Sequence, residues 1–334
     1  MDTQILLISG DRAAELEHSL PLALAQGDAE VTVIDNASSD ATGELARRHG
    51  ARHLRLEKRR SWAAANNAGI DATGGEAVLL LNADCFLEAG FLAAARPRLC
   101  EPGVGSVTPK LIRTLGPAPA ERLDAIDCVG MVVDRRRKNA LAGYGSPALA
   151  YDTPGEAFGP DGAAALYRRE MLEDCRLGGM VLDEDFEKWA ADVDLAWRAQ
   201  TLGWRSVYEP RALAYHVRSY GPSTRASMPE RDRRVQFRNR YLMIVKNDSA
   251  ALARDLHRVL AYEVLALGHA LLRERHLLRG YLEAASRAPR ARRLRRELSE
   301  RRRPRPPATV PFGLEAARRS SSLRRSIDAP TEWP

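Results

Sequence analysis

Short apolar runs alternate with stretches of helical character along the first two thirds of the chain. The run at residues 78–81 is apolar, that at 30–34 is continuous and β-branched, and that at 5–9 is largely apolar, which predicts three strands. Helices are predicted at residues 13–26, 42–49 and 193–202 from apolar spacing or from capping residues in front of them. Strand, polar turn, helix and strand form a βαβ unit with a right-handed crossover. The pattern therefore predicts an α/β fold.

Beyond residue 250 the pattern changes to an apolar stripe at helical spacing, with arginines on the other faces. The stripe consists of Leu252, Leu256, Val259, Leu260, Val264, Leu267, Leu271 and Leu278. Such a helical extension either packs on the first domain or lies on a membrane surface. After residue 303 the chain is rich in Pro, Ser and Arg, which predicts disorder. We expect domains at residues 1–250, 251–303 and 304–334.

The positive charge of this chain is concentrated near its end. The 334 residues carry a formal net charge of +7. Residues 287–303 alone hold nine arginines and two glutamates, so the rest of the chain is close to neutral. A basic segment of this kind suits anionic lipid or nucleic acid.

The four cysteines show no CxxC spacing, which argues against a zinc site or a disulfide framework and favours a reducing cytoplasm. The N-terminus lacks the charged and apolar regions of a signal peptide, so none is expected. We also expect no spanning helix, because no run of about 20 apolar residues occurs. The expected location is the cytoplasm.

Polar side chains follow two of the predicted strands. Asp35 follows the second strand, and Asn82 and Asp84 follow the strand at residues 78–81. Open α/β sheets bind ligands at the carboxyl ends of their strands, and hard divalent cations take oxygen ligands that they share with phosphates. Asp84 is therefore a candidate ligand for Mg²⁺ or Mn²⁺. The structural alternatives are a helix cap at Asp84 and an Asx-turn at Asp35.

Three segments of the chain resemble family 2 glycosyltransferases of the GT-A fold, which use nucleotide-activated sugars: TVIDNASSDAT, AANNAGI and LLLNADC. The resemblance implies that Asp35 contacts the base or ribose of the donor and that Asn67 lines the donor site. It also implies that Asn82 and Asp84 form the metal-binding motif, with Asn82 in place of its first acid. That variant is frequent in the rhamnosyltransferase-like branch.

Residues 182–216 resemble the catalytic block of the same family. The resemblance implies that Asp192 is the general base and that His216 completes the metal or diphosphate site. Ala191 stands where the family usually has a glutamate. The structural alternatives are a helix cap at Asp192 and a purely structural His216, and for Asp194 a role in holding the helix start is preferred.

The acceptor side is expected near the segment GAAALYRR, with four candidate residues: Gly162, Arg168, Asp194 and Arg198. The chain departs from the family pattern at Gly10-Asp11-Arg12 and at Ser61-Trp62, which affects the shape of the pockets rather than the class. A basic cluster at residues 135–138 is interpreted as a solvated turn or as a contact to diphosphate.

The resemblance covers about residues 3–250 and implies a metal-dependent, inverting glycosyltransferase. Its donor would be a nucleoside diphosphate-sugar and its acceptor a saccharide or a lipid-linked sugar, as in cell-surface polysaccharide or glycolipid synthesis. Peripheral association with the inner face of the plasma membrane would suit such an acceptor. Two other classes stay open, a nucleotidyltransferase and a nucleic-acid-binding protein. Nucleic acid is not an expected partner, because aromatic content is 6% and no RNA-binding motif occurs.

Overall fold

The computed structural model describes residues 1–248 and 251–301. Its strands, in chain order, are β1 Thr3–Ser9, β2 Ala29–Asp35, β3 Arg52–Arg55, β4 Ala77–Asn82, β5 Cys85–Leu87, β6 Val104–Thr114, β7 Arg122–Cys128, β8 Met131–Val133, β9 Asn139–Leu141, β10 Gly155–Ala157, β11 Ala164–Arg168 and β12 Arg205–His216. Ten of them form one sheet, and β8 and β9 form a separate hairpin.

The large sheet has the order β10-β12-β6-β11-β4-β1-β2-β3, with β5 on β12 and β7 on β6. The β3-β2-β1-β4 half is parallel, as the continuous, largely apolar runs predict. In the other half β11 lies antiparallel between β4 and β6, and β12 runs parallel to β6. The α/β class and the three predicted strands are confirmed.

Helices flank this sheet and also form the C-terminal region. They are α1 Ala13–Leu24, α2 Thr42–Arg48, α3 Trp62–Ala72, α4 Phe91–Leu99, α5 Arg169–Asp174, α6 Ala191–Thr201, α7 Glu230–Asn247, α8 Ala251–Leu272 and α9 Leu278–Glu300. Side chains of β1 and β4 that are fully buried, among them Ile5, Leu7, Leu79 and Leu81, form the centre of the core. The predicted helices at 13–26, 42–49 and 193–202 are α1, α2 and α6.

One edge of the sheet collects the polar ends of many strands. The parallel strands β1, β2 and β4 end there at Ser9, Asp35 and Asn82. The antiparallel β11 begins at the same edge, since Ala164 pairs with Leu81. The pairing of β12 with β5 then brings His216 opposite Cys85, next to Asp84. Residues far apart in the chain therefore meet at one edge.

The C-terminal helices are tied to the sheet domain by buried charges. Arg137 is fully buried and its guanidinium pairs with Asp248 at 2.6 Å and with Asp255 of α8 at 2.9 Å. The basic cluster at residues 135–138 is interpreted from the sequence as a solvated turn or as a contact to diphosphate. For Arg137 this interpretation is wrong, because its side chain is buried and paired. α7 packs along α9. No helix in the described ranges is long and apolar enough to cross a membrane.

The predicted boundary at residue 250 falls between α7 and α8, and the division into domains stays a prediction. The tail predicted to be disordered, residues 304–334, lies outside the described residues.

Candidate active site

Asp84 lies in the turn that joins β4 to β5, and one of its oxygens accepts no hydrogen bond from the described residues. This oxygen, Oδ1, is buried and accepts no hydrogen bond from any described residue. The His216 Nε2 atom lies 3.5 Å from it. Burial alone would raise the pKa of Asp84, but the neighbouring His216 outweighs it and holds the pKa below the ordinary value. Asp84 is thus ionised and has an oxygen available for a ligand.

His216 is held in place by a second carboxylate behind it. Its Nδ1 lies 2.9 Å from the Oδ2 of Asp127, which turns Nε2 towards Asp84. Burial would lower the pKa of His216, but the charge of Asp127 raises it to about 9. A carboxylate behind an imidazole is the usual way to orient a histidine that binds metal.

Arg218 links this group to the next carboxylate along the edge. Its Nε and Nη2 donate to the two oxygens of Asp127 at 2.6 and 2.8 Å. The same Nη2 donates to Asp161 Oδ2 at 2.7 Å. Asp161 Oδ1 accepts a hydrogen bond from the Ala163 amide at 2.9 Å, at the start of β11. One arginine therefore bridges the two acids.

Asp192, in the first turn of α6, is held by backbone amides. Its Oδ2 accepts from the Gly162 amide at 3.0 Å and its Oδ1 from the Val193 amide at 2.8 Å. No cation of the described chain lies within ion-pair distance of it. Burial, and then the charge of Asp161, raise the pKa of Asp192 to about 6. A half-buried carboxylate with this pKa can accept a proton near neutral pH.

Trp62 lies between the two ends of this site. Its indole Nε1 donates to the Asn82 Oδ1 at 3.0 Å. A Cβ added at Gly162 would lie 2.8 Å from the ring of Trp62 and 3.5 Å from the Asp192 carboxylate. A side chain there would displace the ring, so Gly162 leaves room for Trp62 beside the carboxylate. The side-chain oxygen of Asn82 is therefore bound to Trp62. Asn82 contributes to the site by holding this ring in place.

Asp84 and His216 can contribute to a metal site but do not complete one. No group of three or more His, Cys, Asp or Glu side chains that could hold a metal occurs among the described residues. The buried oxygen of Asp84, with His216 Nε2 beside it, nevertheless fits a hard cation once the cation displaces the proton of His216. Magnesium and manganese sites often use one or two protein ligands and take the rest from phosphates and water. The residues present fit such a shared site.

Asp35 is fully buried at the end of β2, and both of its oxygens are occupied. Oδ1 accepts from the Ser38 amide at 2.8 Å, and Oδ2 lies 2.6 Å from Arg55 Nη1 and 3.0 Å from His53 Nε2. Burial would raise the pKa of Asp35, but these hydrogen bonds hold it below the ordinary value. A donor would meet Asp35 together with these partners.

Two of the predicted site residues are occupied away from the cluster. Asn67 exchanges two hydrogen bonds of 2.8 Å with the backbone of Leu182, which joins α3 to the loop before α6. Arg168 ends β11 opposite Ala77, at the other edge of the sheet, where it donates to the Val104 carbonyl at 2.9 Å. The structure does not bring these two side chains to Asp84 and Asp192.

Asp194 and Arg198 are also buried and bind each other. Arg198 Nε donates to Asp194 Oδ2 at 3.0 Å, and Lys246 Nζ donates to the same oxygen at 2.7 Å. Asn247 occupies the other oxygen at 2.8 Å. This agrees with the preferred structural role of Asp194, and it leaves neither side chain open to an acceptor.

Sequence reasoning missed Asp127, Asp161, Arg218 and the position of Trp62. Asp127 stands between Ile126 and Cys128 in a strand, where a lone carboxylate between buried apolar residues is a signal in itself. Arg218 lies two positions beyond His216, the last residue of β12. Nothing in the local pattern shows that Asp127 and His216 meet.

The glycosyl transferase family 2 model matches residues 11–176 of this chain. The matched segment contains Asp35 and Asp84 and ends before Asp192 and His216. A search of the curated proteins found no match.

Solved structures of glycosyltransferases share the fold. The crystal structure of GalNAc-T7 with UDP, GalNAc and Mn²⁺ has a TM-score of 0.56 and 12% identity, and it covers 74% of this chain. Our chain spans 48% of that one. Residues 1–349 of S. aureus TarS in complex with UDP-GlcNAc have a TM-score of 0.57 and 15% identity, covering 90% of this chain and 83% of theirs. The likeness at these identities shows the fold alone. The matched segment is therefore similar to glycosyl transferase family 2, and the chain has the GT-A fold.

Proposed function

We propose that this protein is an inverting glycosyltransferase that moves a sugar from a nucleoside diphosphate-sugar to a hydroxyl acceptor. The observation that carries the proposal is the pairing of two unlike acids at one sheet edge. Asp84 is ionised, and its Oδ1 accepts no hydrogen bond from the described residues, so this oxygen can bind a ligand. Asp192 has a pKa raised to about 6 and no cation within ion-pair distance in the described chain. The first suits the charged end of a donor, and the second suits proton transfer.

In the proposed reaction Asp192 accepts the proton of the acceptor hydroxyl as its oxygen attacks the anomeric carbon. The bond from that carbon to the donor's phosphate oxygen breaks, and the nucleoside diphosphate leaves with the electron pair. Attack opposite to the leaving group inverts the anomeric centre. The amides of Gly162 and Val193 hold both oxygens of Asp192, so the base is fixed before substrate binds.

The diphosphate would be bound at Asp84 and His216. A divalent cation, Mg²⁺ or Mn²⁺, would supply positive charge against the leaving group there. Asp127 holds the His216 ring so that Nε2 faces Asp84, the orientation that metal binding requires. GalNAc-T7 with UDP and Mn²⁺ is a protein of this fold that binds such a pair, which supports the proposal by analogy.

The donor's nucleoside would lie towards Asp35, with Asn82 and Asn67 contributing to the wall of the pocket. We propose a rhamnosyltransferase-like specificity, motivated by Asn82 in place of the first acid of the motif. The acceptor would approach from the side of Gly162 and Trp62. Asp194 and Arg198 could shape that side only through the backbone that Arg198 holds, whereas Arg168 lies at the other edge of the sheet.

For the acceptor we propose a saccharide or lipid-linked sugar of cell-surface polysaccharide or glycolipid synthesis. The protein would then act in the cytoplasm, peripherally at the inner face of the plasma membrane. This part rests on the basic, amphipathic C-terminal region.

A thermal-shift screen of nucleoside diphosphate-sugars, with and without Mn²⁺, tests the donor side directly. A donor that binds the native state increases the free energy of unfolding, by about 2.7 kcal/mol at one hundred times its Kd. The melting midpoint rises as a result. We expect one donor to produce a shift that requires the metal.

Asp84→Asn provides the matched test of that shift. The side chain keeps its size, so the variant should still fold, with a somewhat lower melting midpoint because the ionised Asp84 stabilises the folded state. It should lose the metal-dependent shift and keep any metal-independent nucleotide binding. Equal affinity of both proteins for every metal–donor pair, measured by isothermal titration, would remove Asp84 from the site.

A further inference from the structure

The helix α8 has two unlike faces. Its inward face is buried and carries Val259, Ala266, Ala270 and Asp255, which pairs with Arg137. Its outward face exposes large apolar side chains: Leu256 45%, Leu260 55%, Val264 72%, Leu265 71%, Leu267 44%, Leu271 48% and Leu272 84% exposed. Most exposed large apolar residues of the described chain are therefore on this one helix.

These side chains form a continuous surface. Positions 256, 260, 264, 267 and 271 recur every three or four residues and so form one stripe. Leu265 and Leu272 widen the stripe to about half of the helix circumference. Between Val259 and Leu272 every exposed side chain is apolar. An exposed patch of this kind on one element marks an interaction surface.

The solvent-exposed charged side chains that flank this patch are all positive. The acids in this part of the chain bind inward partners, Asp255 to Arg137, Glu263 to Arg240 and Glu274 to Arg225. The exposed charged residues are arginines: Arg254, Arg258, Arg273, Arg275 and Arg279. None of these five has a carboxylate within ion-pair distance among the described residues. The outward surface is thus apolar with unneutralised positive charge at both ends.

We propose that the outward face of α8 binds the surface of an anionic lipid bilayer. Its leucines would enter the boundary between headgroups and acyl chains, and the flanking arginines would contact lipid phosphates. The helix would lie in the plane of the membrane, since no described helix can cross it. Membrane binding is argued from α8 alone. Only its purpose, to bring the site to a lipid-linked acceptor, rests on the proposed function.

Charge decides against the other obvious occupant, a second copy of this chain. A two-fold contact along α8 would bring two sets of the five arginines close together with no acids between them. The arginine-rich α9 is less suitable, because several of its arginines are used internally. Arg290 pairs with Asp183 at 2.7 Å, and Arg295 donates to the Val245 carbonyl at 3.1 Å.

The test is co-sedimentation of the full chain with vesicles of phosphatidylglycerol and phosphatidylcholine, or of phosphatidylcholine alone, at low and high salt. Wild type should bind the anionic vesicles at low salt and be released by salt. Changing Leu260, Val264 and Leu265 together to Gln should weaken binding at least about tenfold, because three apolar anchors are lost. The matched control changes three exposed leucines elsewhere, Leu22, Leu115 and Leu149, to Gln and should bind like wild type.

A second pair of variants tests the charges. Replacing Arg254, Arg258 and Arg273 with Gln should weaken binding and reduce its salt dependence. The control replaces Arg292, Arg293 and Arg296 of α9 and should have the smaller effect. All four variants change exposed side chains, so their melting midpoints should match that of wild type.

Three results would overturn the proposal. One is wild type that stays in the supernatant with anionic vesicles at low salt. Another is binding that depends on the α9 arginines and not on α8. The third is a dimer in light scattering that the α8 leucine variant converts to monomer, which would make a second copy the occupant. The α8 variants should show the same donor thermal shift as wild type, because they do not change the site. A wild type that binds vesicles but shows no donor shift would contradict the proposed function and leave the membrane surface standing.

Discussion

Two clusters of charged side chains lie on opposite sides of α6, and each takes one carboxylate from its first turn. The outer cluster, at the sheet edge, consists of Asp84, Asp127, Asp161, Asp192, His216 and Arg218. The inner cluster, beneath α6, consists of Asp183, Asp194, Arg198, Lys246 and Arg290. Asp192 and Asp194 are two positions apart, which is more than half a turn, so they point to different sides.

The clusters differ in how completely their carboxylates are bound. In the inner cluster both oxygens of Asp194 and both of Asp183 accept hydrogen bonds from Lys, Arg or Asn side chains. In the outer cluster Asp84 Oδ1 accepts none from the described chain, and Asp192 is held only by amides. Buried charges that are fully paired hold the structure, whereas those left partly bound are available for a ligand or a proton.

Asp192→Asn should have the largest effect, and it should be on the chemical step. Loss of a general base lowers the rate by about 10²–10⁴. Donor binding, measured by titration, should be unchanged. In wild type kcat/KM should rise with pH through about 6, where Asp192 loses its proton, and the variant should lack this dependence. Transfer close to the wild-type rate would rule out Asp192 as the base.

The same variant should have little effect on stability. The folded-state pKa of Asp192 is raised above its ordinary value, so its ionised form opposes folding at neutral pH. A neutral Asn removes that cost but keeps only one oxygen for the Gly162 and Val193 amides, so the melting midpoint at pH 7 should change little. A large fall in the midpoint would mean that Asp192 belongs with the structural acids of the inner cluster.

Lys246→Met should produce the second largest effect, this time on stability. Lys246 Nζ binds Asp183 and Asp194 at 2.6 and 2.7 Å, and all three side chains are buried. Its removal leaves two buried carboxylates short of a cation, which costs about 3 kcal/mol. Urea unfolding measures this loss. The control Lys188→Met, at an exposed lysine 3.7 Å from Asp232, should change stability by less than about 0.5 kcal/mol.

The sheet and part of the site could be predicted because their signals are local. The runs that became β1, β2 and β4 are continuous and largely apolar, and parallel strands covered on both faces require that pattern. Asp35 and Asp84 follow those strands directly, so topology alone places them at the ligand-binding edge.

The rest of the outer cluster depends on contacts between distant residues. His216 reaches Asp127 across 89 positions, and Arg218 reaches Asp161 across 57. Neither pairing has a local signature. The burial of Arg137 could not be predicted for the same reason. In the sequence it belongs to a basic cluster, and its partners Asp248 and Asp255 lie more than 100 positions away.

Asp161→Asn should have the smallest effect, and it concerns how the outer cluster sets the pKa of Asp192. The charge of Asp161 raises that pKa, second only to burial. Asn keeps the size of the side chain and can still accept the hydrogen bond from the Ala163 amide. The apparent pKa of Asp192 should therefore fall by up to about one unit.

The midpoint of the rise in kcat/KM with pH measures this change. Because the basic form of Asp192 lies above its pKa, a lower pKa moves the rise to lower pH and leaves the rate at pH 8 nearly unchanged. The control Asp28→Asn removes the same charge from an exposed residue at the opposite sheet edge and should leave the midpoint in place. A midpoint that moves upwards in Asp161→Asn, or equally in both variants, would show that Asp161 does not act on Asp192 through its charge, and the outer cluster would then act on the base only by holding it in position.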